Sequence, residues 1–342
     1  EQQVVEIVKA LSVDARVIQM DEPTAALAEH EVELLYRIIR RLQERGVAII
    51  YVSHRLREIF DLCDEITVMK DGALVSSGPA SELTPDELVR RMVGRSIEAY
   101  FPAAHPDTAI GDVRLELRGA GNLYVDSLNL TVRAGEIVGI AGLQGSGRTE
   151  LVEGIFGAAP FTRGEIVIDG QVQTIRTPRQ AVKKHLALVT EDRKVRGLAL
   201  AQSILDNALL AIRGVFPART SSARKAIPGI ISSLETSYHG LDQEVQHLSG
   251  GNQQKVVLAR WMATNPSVVL LDEPTRGIDV GAKVAVYQLM RDLAQRGVAQ
   301  VMVSSELPEV LGMADRIIVM RDGRIAGELP PTASEEAVLA IA

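Results

Sequence analysis

Three short apolar runs have the length and residue types of buried β-strands: EIVGIAG (136–142), VVLLDE (268–273) and VAQVMVSS (298–305). Segments of helical pattern lie between them, among them RTELVEGIF at 148–156. Strands that alternate with helices along a chain form a parallel sheet covered on both faces. Ligands of such sheets bind at the carboxyl ends of the strands. The pattern therefore predicts an α/β fold with its functional residues where these runs end.

The same patterns occur twice along the chain. VIQMDEPTAAL at 17–27 recurs as VVLLDEPTRGI at 268–278, and VMKDG at 68–72 recurs as VMRDG at 319–323, both at an offset of 251 residues. Shared composition alone would not produce such matches at one fixed offset. We interpret the chain as the end of one domain copy followed by a nearly whole second copy.

The boundary between the copies is visible in the pattern. TPDELVRRMVG (84–94) has proline in its first turn, acidic residues next and basic residues late, which is typical of a closing helix. The following residues lose periodicity and gain prolines, as linkers do. We therefore predict that residues 1–94 are the C-terminal part of the first copy, 95–112 the linker and 113–342 the second copy.

The stretch GLQGSGRT (142–149) fits the phosphate-loop pattern G-x-x-x-x-G-[K/R]-[ST]. Glycines let backbone N–H groups surround a phosphate, the following helix adds its positive end, and the Thr149 hydroxyl can ligate Mg²⁺. Arg148 stands where such loops usually carry lysine, and its planar fork pairs with phosphate differently from a compact ammonium. The alternative is a glycine-rich turn without a ligand. The candidate nucleotide-binding residues of this stretch are Gly142, Gln144, Gly145, Ser146, Gly147, Arg148 and Thr149.

The run VVLLDE ends in two adjacent carboxylates, which can divide metal binding and the orientation of a water molecule between them. Asp272 can hold Mg²⁺, and Glu273 can orient the attacking water. The alternative is a solvated acidic turn at the end of a strand. The repeat weighs against it, because Asp21 and Glu22 stand at the same place in the first copy.

The stretch HLSGGNQQ (247–254) lies before the second apolar run and opens a helical segment, KVVLARWMA. A serine and two glycines at a helix start form an anion site, although by themselves they are also a good helix cap.

Together these stretches resemble the Walker A, signature and Walker B motifs of ABC-type ATPases, in that order and spacing. The arginine-containing phosphate loop, LSGGNQQ, TEDRK (190–194) and DEPTRGIDVGAK (272–283) resemble the second half of the two-domain ATPases that drive bacterial monosaccharide importers. The resemblance implies a P-loop core with a mainly parallel sheet, plus antiparallel β and helical subdomains. It also implies ATP and Mg²⁺ as cofactors.

In such ATPases two nucleotide domains pair head to tail, and each ATP lies between the Walker motifs of one domain and the signature of the other. The resemblance makes Glu22 and Glu273 the catalytic carboxylates, Asp21 a metal-side carboxylate and His54 the switch histidine. In the signature it implies nucleotide contacts for Ser249, Gly250, Gly251 and Gln253.

The second copy departs from the family pattern at two further positions that the resemblance marks as nucleotide-binding. The offset aligns His54 with Ser305, and Glu191 stands where most such domains carry the glutamine of the Q-loop. We therefore expect unequal sites: one with Glu22 and His54 that hydrolyses ATP, and one with Arg148, Glu191 and Ser305 that mainly holds it. The repeat also places the first copy's phosphate loop upstream of residue 1.

Composition limits the partners. With 37 Lys and Arg against 44 Asp and Glu, the net charge of −7 weakens the case for nucleic acid, and with it a non-transport ABC protein acting on DNA or ribosomes. Cys63 is the only cysteine, so no internal disulfide can form and a reducing compartment is expected. No apolar run approaches the roughly 20 residues that span a bilayer.

The resemblance then implies a protein peripheral to the cytoplasmic face of the cell membrane. Its partners would be polytopic sugar permease subunits and, indirectly, a periplasmic or extracellular sugar-binding protein. Arg193, Lys194 and Arg196 could form a solvated or phosphate-adjacent face or a contact with the membrane subunit. The remaining alternative function is a regulatory or structural domain that binds ATP without significant turnover.

Overall fold

A computed structural model describes residues 15–24, 29–53, 55–70, 72–93, 101–103 and 109–342. The chain divides into two compact units, of which the first runs to residue 100 and includes 279–281. His54, residues 1–14 and most of the predicted linker lie outside the described residues.

The first unit contains two strand pairs and three helices in its described part. Strands β1 and β2 are parallel, and β3 and β4 form an antiparallel hairpin. Its elements are β1 (Val17–Asp21), α1 (Glu29–Glu44), β2 (Ala48–Val52), α2 (Leu56–Leu62), β3 (Glu65–Lys70), β4 (Ala73–Pro79) and α3 (Pro85–Val93).

Ten strands and eight α-helices make up the part of the second unit that the structure describes. The helices are α4 (Arg148–Phe156), α5 (Pro178–Lys183), α6 (Ile204–Val215), α7 (Thr220–Ser233), α8 (Gly250–Met262), α9 (Val280–Gln295), α10 (Leu307–Met313) and α11 (Glu335–Leu339). The strands are β5 (Val113–Gly121), β6 (Leu128–Arg133), β7 (Ile137–Gly142), β8 (Arg163–Ile168), β9 (Gln171–Gln173), β10 (Leu186–Val189), β11 (Val268–Asp272), β12 (Ala299–Val303), β13 (Arg316–Arg321) and β14 (Arg324–Leu329).

The three apolar runs of the sequence are neighbours in one six-stranded sheet of order β10-β11-β12-β7-β13-β14. All pairs are parallel except the last. Asp272 is paired with Val303, and Val303 with Ile140, so the ends of β11, β12 and β7 meet at one edge. The predicted α/β fold is confirmed, and this edge is where the candidate site residues follow their strands.

Two further layers complete the second unit. Strands β6, β5, β8 and β9 form an antiparallel sheet whose apolar residues share one core with β7, β11, β12 and α4. On the other side, β7 and β13 pack against α10 and α11. Helices α6, α7 and α8 form a helical part, in which Arg260 of α8 donates to the Asn207 carbonyl of α6 at 2.9 Å.

Equivalent strands of the two copies are buried to different degrees. Every residue of β11 and β12 is buried, whereas β1 alternates between exposed and buried residues. Val17 of β1 is 58% exposed, while its repeat partner Val268 is fully buried. Among the described residues of the first unit, no strand joins β2 to β3 as β7 joins β12 to β13.

No helix within the described ranges combines the length and the hydropathy that crossing a bilayer requires.

Candidate nucleotide-binding site

The phosphate loop connects β7 to α4, as predicted. Gly142 has a φ of 151°, and a Cβ there would lie 2.4 Å from the Met320 carbonyl oxygen. Gly147 has a φ of 97° at the N-cap of α4, where a Cβ would meet Gly323 and Val125 at 3.0 Å. Both positions therefore require glycine. The loop ends at the N-terminus of α4, whose first N–H groups have no partner within the helix and attract anions.

The polar side chains of the loop differ in their surroundings. Gln144 is exposed, as is Gly145 with a φ of 82°. Ser146 is 5% exposed, and its Oγ has no hydrogen-bond partner among the residues that the structure describes. A buried hydroxyl without a partner inside a phosphate loop fits a phosphate oxygen as its acceptor.

Arg148 reaches across the sheet edge from the start of α4. Its Nη1 donates to the Ser304 carbonyl at 2.8 Å, just after the end of β12. The guanidinium also lowers the pKa of Glu273 through its charge, against the larger effect of burial. The arginine thus connects the phosphate loop with the segment that contains Ser305.

Thr149 and Asp272 meet at the edge. The Thr149 hydroxyl donates to Asp272 Oδ1 at 3.2 Å, although 123 residues separate them in the chain. Asp272 is 3% exposed, and burial raises its pKa to about 6. Mg²⁺ prefers oxygen ligands and is commonly held by one or two protein groups together with substrate phosphates. The Thr149 and Asp272 oxygens therefore fit the magnesium ion of a bound Mg-ATP.

Glu273 and Ser305 also lie together. Ser305 Oγ donates to Glu273 Oε2 at 3.1 Å. Burial raises the pKa of Glu273 to about 7. Glu273 has a φ of 49°, a left-handed conformation that is uncommon for residues other than glycine. Backbone strain of this kind concentrates at functional sites.

The first copy repeats part of this geometry. Glu22 has a φ of 47° and donates its N–H to the Val52 carbonyl at 2.9 Å, as Glu273 does to Val303 at 3.0 Å. Asp21 is exposed, unlike its partner Asp272. The predicted switch histidine, His54, lies outside the described residues.

The signature stretch forms the N-terminus of α8. Ser249 is the N-cap, and its Oγ accepts from the Asn252 N–H at 3.4 Å. Gly250 and Gly251 form the first turn. Gln253 is 4% exposed and donates to the Val245 carbonyl at 3.1 Å, so its amide nitrogen is used within the fold.

Glu191 has a partner that the sequence did not indicate. Its carboxylate forms an ion pair with Arg276, three residues after Glu273. Arg193 lies beside this pair and donates to the carbonyls of Arg276 at 2.7 Å and Gly277 at 2.9 Å. A Cβ on Gly250 would lie 2.7 Å from the Arg193 guanidinium. The TEDRK segment therefore connects the residues after β11 with the start of the signature helix.

Solved structures with a similar fold are ABC cassettes. A nucleotide-free ATP-binding cassette of an ABC transporter aligns with a TM-score of 0.57 at 21% identity, covering 67% of this chain and 94% of that one. A dimeric cassette in a post-hydrolysis state, bound to ADP and phosphate, aligns with a TM-score of 0.54 over 64% of this chain and 100% of that one, also at 21% identity. At this identity the likeness establishes the fold.

Sequence relatives establish the family. The ABC transporter family model matches residues 125–276. The chain is 45% identical to the ribose import ATP-binding protein RbsA of Bacillus licheniformis, with 100% of this chain and 70% of that protein covered. It is 46% identical to RbsA of Bacillus subtilis over the same shares, and 48% identical to RbsA 1 of Rubrobacter xylanophilus over 99% and 69%. The chain therefore belongs to the family of ATP-binding subunits of bacterial monosaccharide ABC importers.

Proposed function

We propose that this chain hydrolyses ATP to energise the import of ribose or a closely related monosaccharide. The observation that carries the proposal is the meeting of Thr149, Asp272, Glu273 and Ser305 at one sheet edge beside a phosphate loop. These groups match the needs of phosphoryl transfer, which depends on positioning and on charge stabilisation. The high identity to ribose import proteins supports the sugar and does not favour a regulatory domain without turnover.

In the second copy, the loop from Gly142 to Thr149 holds the phosphates. A magnesium ion held by Thr149 and Asp272 would neutralise phosphate charge. Glu273 orients the attacking water, and the Ser305 hydroxyl holds that carboxylate in place. Arg148 supplies positive charge for the terminal phosphates.

Three residues make this second site a weaker catalyst than a site that carries the usual residues of the family. Arg148 replaces lysine, Ser305 replaces the switch histidine, and Glu191 replaces glutamine. Removing one contact to developing charge commonly costs about 10²–10³ in rate. The second site therefore mainly holds ATP, whereas Glu22 and His54 belong to the more active first-copy site.

The chain acts at the cytoplasmic face of the membrane, bound to a polytopic permease. The permease and an external sugar-binding protein supply the contacts that select the sugar. The family membership supports both partners, and the exposed TEDRK segment is the candidate contact with the permease.

The test measures phosphate release from Mg-ATP by the purified chain with three additions: membranes containing a ribose permease, the same membranes without it, and pure lipid vesicles. Co-sedimentation and turnover should both depend on the permease. ATP binding without phosphate release under all conditions would favour the regulatory alternative. Equal association with pure lipid would exclude the permease as the docking partner.

A further inference from the structure

A buried cluster of charged and polar side chains lies behind the nucleotide site and has no part in the functions proposed above. Its centre is Glu309 of α10, which is 1% exposed. Glu309 accepts hydrogen bonds from Thr275 at 2.6 Å, Tyr287 at 2.5 Å and Ser304 at 2.8 Å. Lys283, which is 2% exposed, forms an ion pair with it at 3.0 Å. We call these five residues the Glu309 cluster.

The members of the cluster come from the segments that carry the site. Thr275 lies two residues after Glu273, and Ser304 lies one residue before Ser305. Lys283 and Tyr287 are on α9, the helix that follows the Walker B segment. Glu309 thus connects Thr275, three residues after β11, with Ser304, the first residue after β12.

Burial of so many charges has a cost that pairing must offset. Burial alone would raise the pKa of Glu309, but Lys283 and the hydroxyl donors Thr275 and Tyr287 hold it below its usual value. Replacing a buried ion pair by apolar residues of the same volume is often neutral or stabilising. Stability alone therefore gives little reason to place a carboxylate here rather than an apolar side chain.

The first copy contains the same arrangement. Glu58 is 4% exposed and accepts from Thr24 at 2.5 Å and Ser53 at 2.9 Å. These residues align with Glu309, Thr275 and Ser304 at the offset of 251. The two copies thus keep this glutamate and its two hydroxyl donors although their switch residues differ.

The copies differ in how the glutamate charge is balanced. The position of Lys283 is Val32 in the first copy, where Arg55 approaches Glu58 at 3.4 Å instead. What is common to both copies is a carboxylate that accepts one hydroxyl from each of the two site-bearing segments. The carboxylate and its two hydroxyl donors define the geometry. The cation only neutralises the charge of the glutamate.

We infer that Glu309 is a positioning residue that fixes the distance between the catalytic carboxylate Glu273 and the switch segment at Ser305, through Thr275 and Ser304. The kinetic consequence of this inference rests on the proposed function, whereas its structural consequence does not. Glu273 has a strained backbone, and such a conformation persists only where surrounding contacts determine it. The Glu309 cluster holds Thr275, two residues after Glu273, and Ser304, which adjoins the Ser305 that donates to Glu273.

The test compares Thr275→Val with Thr264→Val in the full chain. Each substitution removes one hydroxyl while keeping the side-chain shape. Both residues are buried, since Thr275 and Thr264 are each 1% exposed. Thr264 donates to the Trp261 carbonyl at 2.7 Å, at the end of α8 and outside the site and the cluster. This choice avoids Glu309→Gln, which would remove one of the two carboxylates that pair with the buried Lys283, the other being Glu306 at 2.7 Å.

Hydrogen exchange is the first measurement. The Glu306 N–H donates to Ser304 Oγ at 3.0 Å, so loosening Ser304 should expose that amide. We expect Thr275→Val to speed exchange at residues 304–306 by about tenfold, with little change in Thr264→Val. Equal exchange at these residues in the two variants would overturn the inference, whether or not the chain hydrolyses ATP.

Steady-state kinetics are the second measurement. We expect Thr275→Val, made in a Glu22→Gln background so that turnover reports the second site, to lower kcat about tenfold while KM for ATP stays within about twofold, because the lost geometry matters most in the transition state. Thr264→Val should leave both constants nearly unchanged. If kcat fell in both variants in proportion to the loss of unfolding free energy, Glu309 would have only a structural role. Absence of turnover in the unsubstituted chain would refute the proposed hydrolysis, and hydrogen exchange would then decide on Glu309.

Discussion

Ser305 Oγ donates a hydrogen bond to Glu273 Oε2 at 3.1 Å, which connects the ends of strands β12 and β11. In the first copy the position of Ser305 is occupied by His54. The serine side chain is short, and its hydroxyl contacts the carboxylate of Glu273 within the protein. An imidazole at the same position would extend further and could donate to a terminal phosphate.

Replacing Ser305 by histidine should therefore raise turnover. In a Glu22→Gln background, where turnover reports the second site, we expect Ser305→His to increase kcat about tenfold, which is less than the roughly 10²–10³ that one transition-state contact can contribute because Arg148 remains. Phosphate release under saturating Mg-ATP measures the effect. Ser222→His on the exposed face of α7 is the control for adding an imidazole. An unchanged or lower rate in Ser305→His would show that the histidine is not what limits this site.

Removing the Arg148 side chain should weaken nucleotide binding. Hydrogen bonds to charged groups contribute about 1.5–3 kcal/mol, so Arg148→Ala should raise the Kd for Mg-ATP by roughly 10- to 100-fold. Titration calorimetry provides the measurement. Arg213→Ala, which removes a surface arginine paired with Asp206 at 2.7 Å, should not change the Kd. If Arg148→Ala left the Kd unchanged, the role of the arginine would be limited to its contact with Ser304.

The sequence was sufficient to predict which segments meet at the site. Parallel strands place their carboxyl ends at one edge, so the ends of the runs at 136–142, 268–273 and 298–305 had to converge if they shared a sheet. Strand order was not predictable, since nothing in the runs specifies their neighbours.

The long-range side-chain pairs were also not predictable from pattern alone. Arg276 and Lys283 look like surface residues of a polar loop and helix, yet Arg276 pairs with Glu191 and Lys283 is buried against Glu309. Periodicity specifies a face but no partner. The repeat did carry a usable signal. Thr24, Ser53 and Glu58 recur at the offset of 251 as Thr275, Ser304 and Glu309.

Magnesium should strengthen ATP binding through Thr149 and Asp272. We expect the Kd for ATP to rise about tenfold when the ion is removed with a chelator, because Thr149 and Asp272 would hold an ion that neutralises phosphate charge. In Thr149→Val this dependence should shrink to about twofold. Thr162→Val, whose hydroxyl donates to the Gly121 carbonyl instead, should behave like the unsubstituted chain. Full magnesium dependence in Thr149→Val would place the ion elsewhere.

The two copies should differ in local stability, and the repeat makes the comparison internal. Amide exchange depends on local opening, which is easier where few apolar side chains are buried. Ile50 of β2 is 53% exposed, whereas its repeat partner Val301 of β12 is fully buried, and the same contrast separates β1 from β11. We therefore expect amides of β1 and β2 to exchange at least about tenfold faster than those of β11 and β12. Hydrogen exchange with peptide-level mass spectrometry measures both pairs in one sample. Strands β11 and β12 also pair with β10 and β7, whereas β1 and β2 pair only with each other among the described residues, so burial and strand pairing both favour slower exchange in the second copy. Equal protection in the two copies would mean that the exposed faces of β1 and β2 are covered in solution.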